Sequence, residues 1–216
     1  MPDRSIHDHI AHDLKAALSP LQTAAYVLRR GETLQEGKTA ELAAVIERQT
    51  RRLARMIDEA SEWQRAEEGR LSLRAEPIVP GDLLETALAA LDDVPRVRWT
   101  TPADVDFSGD SYRLQQMLAA VLAFACRRDP GRAPLVEAEA ARERLAWTIT
   151  DSGPACDIAR LLCRPQVAAA DDGLGLGLLL ARAIARCHGG DLRASEPAGG
   201  GLRLHCEVSS LANAAE

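Results

Sequence analysis

The chain has 216 residues, a formal net charge of −6 and 46% hydrophobic residues, enough to bury a core in one or two domains. With aromatics at only 3%, that core has to be built from Leu, Ala, Val and Ile. The acidic balance gives no electrostatic reason to expect nucleic acid or an anionic membrane surface as a partner. The five cysteines lack CxxC spacing, so neither a zinc site nor a disulfide framework follows. No apolar run approaches the ~18 residues that span a bilayer, and the first ten residues, MPDRSIHDHI, lack the apolar core of a signal peptide. The expectation is a cytoplasmic chain with reduced thiols and no membrane insertion; were it to sense anything outside the cell, another protein would have to bring the signal.

The first predicted element runs through HDLKAALSPLQTAAYVLRR. Ile10, Leu14, Ala17, Leu21, Ala24 and Leu28 recur at alternating steps of four and three, a heptad seam that Leu18 and Ala25 widen. At roughly 100° per residue, His12 falls about 200° from Ile10, which points it outward beside Asp13. An exposed imidazole next to a carboxylate is a usable nucleophile, since the acid can orient the ring and take up its proton. Taken alone, it is more often a plain surface histidine. His7 and His9 lie upstream, where the helix is expected to fray. After a turn at Gly31 to Gly37, a second seam follows: Leu42, Ile46, Gln49, Leu53, Met56, Ala60 and Trp63, extended by Val45 and Ile57. Gly69 is its expected stop. Two such helices make an antiparallel hairpin with too little partner surface for both seams. A second copy completing a four-helix bundle supplies that surface, so the chain is expected to be a homodimer.

From Leu71 the pattern changes. LSLRAEPIV alternates like a strand, Gly81 to Leu91 reads as a helix capped near Asp82, and VRWTTP as a short strand. Ser111 to Arg128 is a strongly apolar helix. Leu135–Ala138 and Leu145–Thr150 read as adjacent strands, Leu178–Cys187 as a helix, and Leu192–Ala194 and Leu202–Val208 as closing strands. This mixture predicts an α+β layer with helices on one face of a sheet.

Two stretches here carry chemistry. In ITDSGPA a strand runs into Asp151, Ser152 and Gly153. A carboxylate at a strand end beside glycine can accept from an exocyclic amine while backbone approaches a flat ring closely. The sequence Asp-Ser-Gly is also ordinary turn chemistry. In DDGLGLGLLLARAIARCHGGDL, Gly173, Gly175 and Gly177 precede a helix, as a phosphate-cradling loop requires: close backbone approach and free N–H groups at a helix N-terminus. The run lacks the GxxxxGK[ST] form and has no strand directly before it, so it matches neither common nucleotide fingerprint.

Taken in order, these stretches resemble the catalytic core of bacterial sensor histidine kinases, and the resemblance covers nearly the whole chain. It implies that residues 1–69 are the dimerising hairpin that carries the phospho-accepting histidine, His12, with Asp13 as its base and orienter. The segment IERQTRRLARMIDEASEWQRAEEGRLSLRAE corresponds to that hairpin's second helix and exit. Residues 70–216 correspond to the ATP-binding domain of GHKL type, through DSYRLQQML, Asp151 to Gly153, the glycine lid at Gly173 to Gly177, and His188-Gly189-Gly190. The implied fold class is α+β: a helical hairpin forming a dimeric four-helix bundle, followed by an α/β-sandwich ATPase-like domain.

Departures from the family pattern qualify this. Phe124 stands where the family has its Mg²⁺-ligating Asn, and Ala120 at the earlier Asn. The only asparagine in the chain is Asn213. Without that oxygen the metal that offsets phosphate charge is poorly held, so ATP is expected to bind weakly and Mg²⁺ hardly at all. An active kinase would then need Arg127 or Arg128 to neutralise phosphate. Ala155 replaces the second glycine of DxGxG, and no phenylalanine-bearing segment precedes the lid, only LLCRPQ. Ala16 stands where the family positions a water for dephosphorylating its partner. The expectation is a two-component protein of histidine-kinase type, phosphorylated on His12 and exchanging phosphate with the aspartate of a response-regulator receiver domain in a phosphorelay. The alternative is a catalytically dead scaffold that does not use ATP and acts by binding a regulator or a partner sensor kinase.

Overall fold

The computed structural model describes residues 4–30, 37–90, 98–99, 105–141, 143–166 and 173–211. The chain divides into two compact units, residues 1–64 with 165–176 and residues 65–164 with 177–216. Most of the turn expected from Gly31 lies outside the described residues.

The first unit is built on helices α1 (Arg4–Arg29) and α2 (Lys38–Glu67), the latter running three residues beyond it. Both seams turn inward: Ala17 and Ala24 are buried, as are Gln49, Met56 and Trp63. Ile10, Leu14, Leu21, Leu42, Ile46 and Leu53 are only half-buried. Leu18, Tyr26, Leu28 and Ile57 keep 42%, 53%, 39% and 53% of their surface exposed. The hairpin thus retains apolar surface along its length. Helix α1 begins at Arg4, so His7 and His9 are helical and not frayed. The His7 ring lies 5.8 Å from that of Trp63, a contact that secures the first turns. Beyond α2 the chain turns at Gly69, whose φ is +64°, with Arg70 N–H donating to Arg65 O and Gly69 N–H to Ala66 O. This is the Schellman arrangement that favours glycine at a helix C-terminus.

The second unit contains β1 (Glu76–Ile78), α3 (Pro80–Ala89), β2 (Arg98–Trp99), β3 (Phe107–Gly109), α4 (Ser111–Arg128), β4 (Leu135–Ala141), β5 (Arg144–Asp151), α5 (Ile158–Leu161), α6 (Gly177–Cys187), β6 (Asp191–Ser195) and β7 (Leu202–Ser209). A five-stranded sheet runs β2-β4-β5-β7-β6, antiparallel except for the β2–β4 pair. β1 and β3 form a separate antiparallel pair. Along β5, Leu145, Trp147, Ile149 and Asp151 are buried while the residues between them are not, the period-2 alternation of a sheet covered on one side. Helices α4 and α6 supply the cover with Leu114, Met117, Leu118, Val121 and Leu122 from one, and Leu178, Leu180 and Ile184 from the other. The fold is α+β, with helices on an antiparallel sheet.

Two expectations are corrected, and two short elements are added. Only Glu76–Ile78 of LSLRAEPIV is strand, because the residues before it have no sheet partner. Helix α3 starts at Pro80, whose fixed φ suits the first helical position. Its N-cap is Val79, without a side-chain hydrogen bond, and Asp82 falls inside the first turn. β3 and α5 carried no periodic signal, being three and four residues long.

Candidate functional site

In the first unit His12 stands on the solvent face of α1, its side chain 80% exposed. Its Nδ1 lies 2.9 Å from Asp13 Oδ1. A carboxylate can only accept, so Nδ1 carries the proton and Nε2 presents a free lone pair to solvent. The second oxygen of Asp13 lies 3.2 Å from His9 Nε2, one turn earlier. Asp13 therefore serves two imidazoles, and the sequence reading missed His9. Its spacing of four from Asp13 on one helix was the available signal. Ala16, one turn after His12, is exposed and presents only a methyl group.

The glycine run lies in the same unit up to Leu176, and Gly177 opens α6 in the second. Gly173 and Gly175 have φ of +94° and +71°, a backbone that L side chains rarely adopt. Their conformation presents the N–H groups of Leu174 and Leu176, as a phosphate loop would. Both groups already have an acceptor. Leu174 N–H donates to Glu59 Oε2 at 2.7 Å and Leu176 N–H to Glu59 Oε1 at 2.6 Å. A carboxylate from α2 thus holds the N–H pair that was expected to be open to phosphate.

In the second unit Asp151 ends β5 with its side chain 2% exposed. Gly201 (φ +88°) lies against its carbonyl so closely that any Cβ there would collide with it. Oδ1 accepts from Gly153 N–H at 2.8 Å, and Oδ2 accepts from Arg128 Nε at 2.7 Å. Arg128 leaves the end of α4, also donates to Pro154 O, and sits over the Phe124 ring 5.9 Å from its centroid. Arg128 is therefore committed to the turn at Asp151 and is no free phosphate ligand. Phe124 offers a ring where the resemblance calls for an oxygen. Asp151, which the resemblance assigns to a base, and separately the Leu174 and Leu176 amides already hold protein partners, and Phe124 brings no oxygen ligand for a metal.

His188 proves to be a structural histidine. It is 1% exposed, its Nδ1 donates to Ile184 O at 2.9 Å, and its Nε2 accepts from Asp110 N–H at 3.3 Å. Asp110 caps α4 through Arg113 N–H and also receives Arg74 N–H. Burial pushes the His188 imidazole below its usual pKa, against the opposing pull of the Ile184 carbonyl and Asp110.

Residues 109–211 match the family described as histidine kinase-, DNA gyrase B-, and HSP90-like ATPase. Along almost its whole length the chain is similar to the sensor protein KdpD of Mycobacterium tuberculosis, with 24% identity over 96% of this chain and 26% of that protein. It is also similar to the sensor protein DivL of Caulobacter vibrioides, with 28% identity over 95% of this chain and 28% of that one. The chain thus spans little more than a quarter of these two relatives. Among solved structures, the Acinetobacter baumannii histidine kinase AdeS superposes with a TM-score of 0.71 at 21% identity, over 93% of this chain and 98% of that one. ShkA, crystallised with AMPPNP, superposes with a TM-score of 0.63 at 20% identity, over 96% of this chain and 47% of that one. Along its length the chain is thus similar to the catalytic portion of sensor proteins, residues 109–211 carry a histidine kinase-, DNA gyrase B-, and HSP90-like ATPase domain, and its α+β fold is that of solved histidine kinases.

Proposed function

We propose that this chain carries phosphate on His12 and exchanges it with the aspartate of a response-regulator receiver domain. The observation that supports this most is His12 itself, exposed on a helix with Nδ1 bonded to Asp13 and Nε2 facing outward. In transfer from the regulator, Nε2 attacks phosphorus, the N–P bond forms, and the P–O bond to the regulator's aspartate breaks. The electron pair of that bond leaves with the carboxylate. The Nδ1 proton stays on the ring, and the Asp13 carboxylate offsets the positive charge that the imidazole acquires. The forward reaction is the reverse of these steps. Phosphoryl transfer of this kind asks mainly for position and charge compensation, and the receiver domain supplies its own metal. Nucleotide binds weakly on this reading, with Asp151 and Gly153 toward the base and Gly173, Gly175 and Gly177 toward the phosphates. The half-buried and exposed apolar residues of the hairpin support a homodimer closing a four-helix bundle, with residues 1–69 as the phosphotransfer hairpin and 70–216 as the ATPase-like domain.

The test is uptake of acid-labile phosphate from a phosphorylated receiver domain. His12→Gln is expected to abolish it while leaving the oligomeric state unchanged, because the side chain is 80% exposed. Uptake that survives His12→Gln refutes the assignment. Asp13→Asn is expected to slow uptake about ten- to hundredfold, the range for losing a hydrogen bond to a charged partner.

A further inference from the structure

The carboxylate of Asp151, at the end of β5, is the acceptor that the resemblance assigns to reading a base, and both its oxygens are engaged within the protein. Gly153 N–H takes Oδ1 through a local turn. Arg128 takes Oδ2 at 2.7 Å, with side-chain exposures of 11% for the arginine and 2% for the aspartate. The guanidinium is held from three sides: by Asp151, by Pro154 O, and by the ring of Phe124, one helical turn before it on α4. Gly153 packs against the Arg128 backbone, with the carbonyl oxygen 2.9 Å from where a Cβ would be. Phe124 and Arg128 thus make one device: the residue that displaces the metal ligand is also the platform for the arginine that fills the base acceptor.

We propose that Arg128, seated on Phe124, is a built-in competitor for the base edge of a purine nucleotide and sets the affinity and base selectivity of the site. A guanidinium N–H and an exocyclic amine N–H are the same kind of donor to a carboxylate, and with the Asp151 side chain only 2% exposed the seated guanidinium covers the approach to Oδ2, so the two compete there. A nucleotide binds with its full contact to Asp151 only when Arg128 has swung off, and its apparent affinity falls by the fraction of molecules in which that holds. While Arg128 is seated, Asp151 cannot distinguish an amine from a keto group, so selectivity between ATP and GTP is lost as well. This proposal rests on the nucleotide reading of Asp151 and is independent of the His12 reading.

The experiment is calorimetry of the full chain with ATP and with GTP, comparing the wild type with Arg128→Leu, Arg128→Gln and Arg128→Gln/Asp151→Asn. Circular dichroism and thermal melting verify the fold of each. Arg128→Gln is included because it keeps a polar group beside the buried carboxylate, so the question is answered if Arg128→Leu does not fold. The wild type is expected to bind both nucleotides weakly and within about threefold of each other. The single variants are expected to bind ATP at least tenfold more tightly with little gain for GTP, and the double variant to lose that preference. Equal gains for ATP and GTP, or no gain in a folded variant, would overturn the proposal. If no variant binds either nucleotide, the nucleotide reading of Asp151 falls with it, while phosphate uptake by His12 still stands or falls on its own assay.

Discussion

Asp13 and Asp151 show how differently one residue type is used on a helix surface and at a strand end. Asp13 is partly exposed, lies between two imidazoles, and leaves the far nitrogen of His12 free for chemistry. Asp151 is buried, with each oxygen engaged by a protein donor. The His12–Asp13 half of the first arrangement was legible in the sequence, since the two are neighbours and the seam sets their face, whereas the His9 contact was missed. The second was not, because Arg128 stands 23 residues earlier and no periodicity announces a pair across two elements. His188 falls between these cases. Its place beside two glycines was visible, but its bonds to Ile184 O and Asp110 N–H depend on tertiary packing. The folded state holds its pKa below the ordinary value of about 6.5. The unfolded chain therefore takes up the proton first as pH falls. The stability tied to neutral His188 is fully present above pH ~6.5 and is lost progressively below it. Urea denaturation at pH 7.5 and at pH 5.5 is expected to show a lower midpoint at the acid value. His188→Gln should flatten that difference, though at a cost in stability at both pH values.

At the scale of elements, both heptad seams were legible and both turn inward. What the pattern could not apportion was how much of each seam one hairpin buries alone. Small Ala17 and Ala24 disappear completely on α1, whereas the larger Leu14 and Leu21 stay half-exposed. Hydrophobic surface of that extent on a helix pair calls for a partner. Replacing Leu21 and Leu53 together by Asp places charge where a second copy is expected to lie. Sedimentation should then report monomer or an unfolded hairpin in place of dimer, and an unaltered dimer would remove the bundle reading. The short elements escaped the sequence for a plain reason. A three-residue strand such as Phe107–Gly109 has too few positions to display an alternation, and it exists because Glu76–Ile78 lies beside it.

For the molecule as a whole, the order of strands, β2-β4-β5-β7-β6, was beyond the sequence, which suggested which segments extend but not their neighbours. The glycine run was read as a loop in front of a helix, and it is one. Within the first unit its amides are bonded to Glu59, more than a hundred residues away in the chain. That single carboxylate gives the loop a measurable clock. The amides of Leu174 and Leu176 are each bonded to a charged acceptor, and such bonds contribute about 1.5–3 kcal/mol, or roughly ten- to hundredfold in protection against hydrogen exchange. Glu59→Gln keeps the shape but offers one acceptor oxygen in place of two and turns a donor toward the second N–H. At least one of the two amides is expected to exchange faster by about that factor, while the amides of β5 and β7 keep their pace. Any anion that reaches the loop must first displace a charge the protein already keeps there, so inorganic phosphate added to the native protein should alter the exchange of these same two amides.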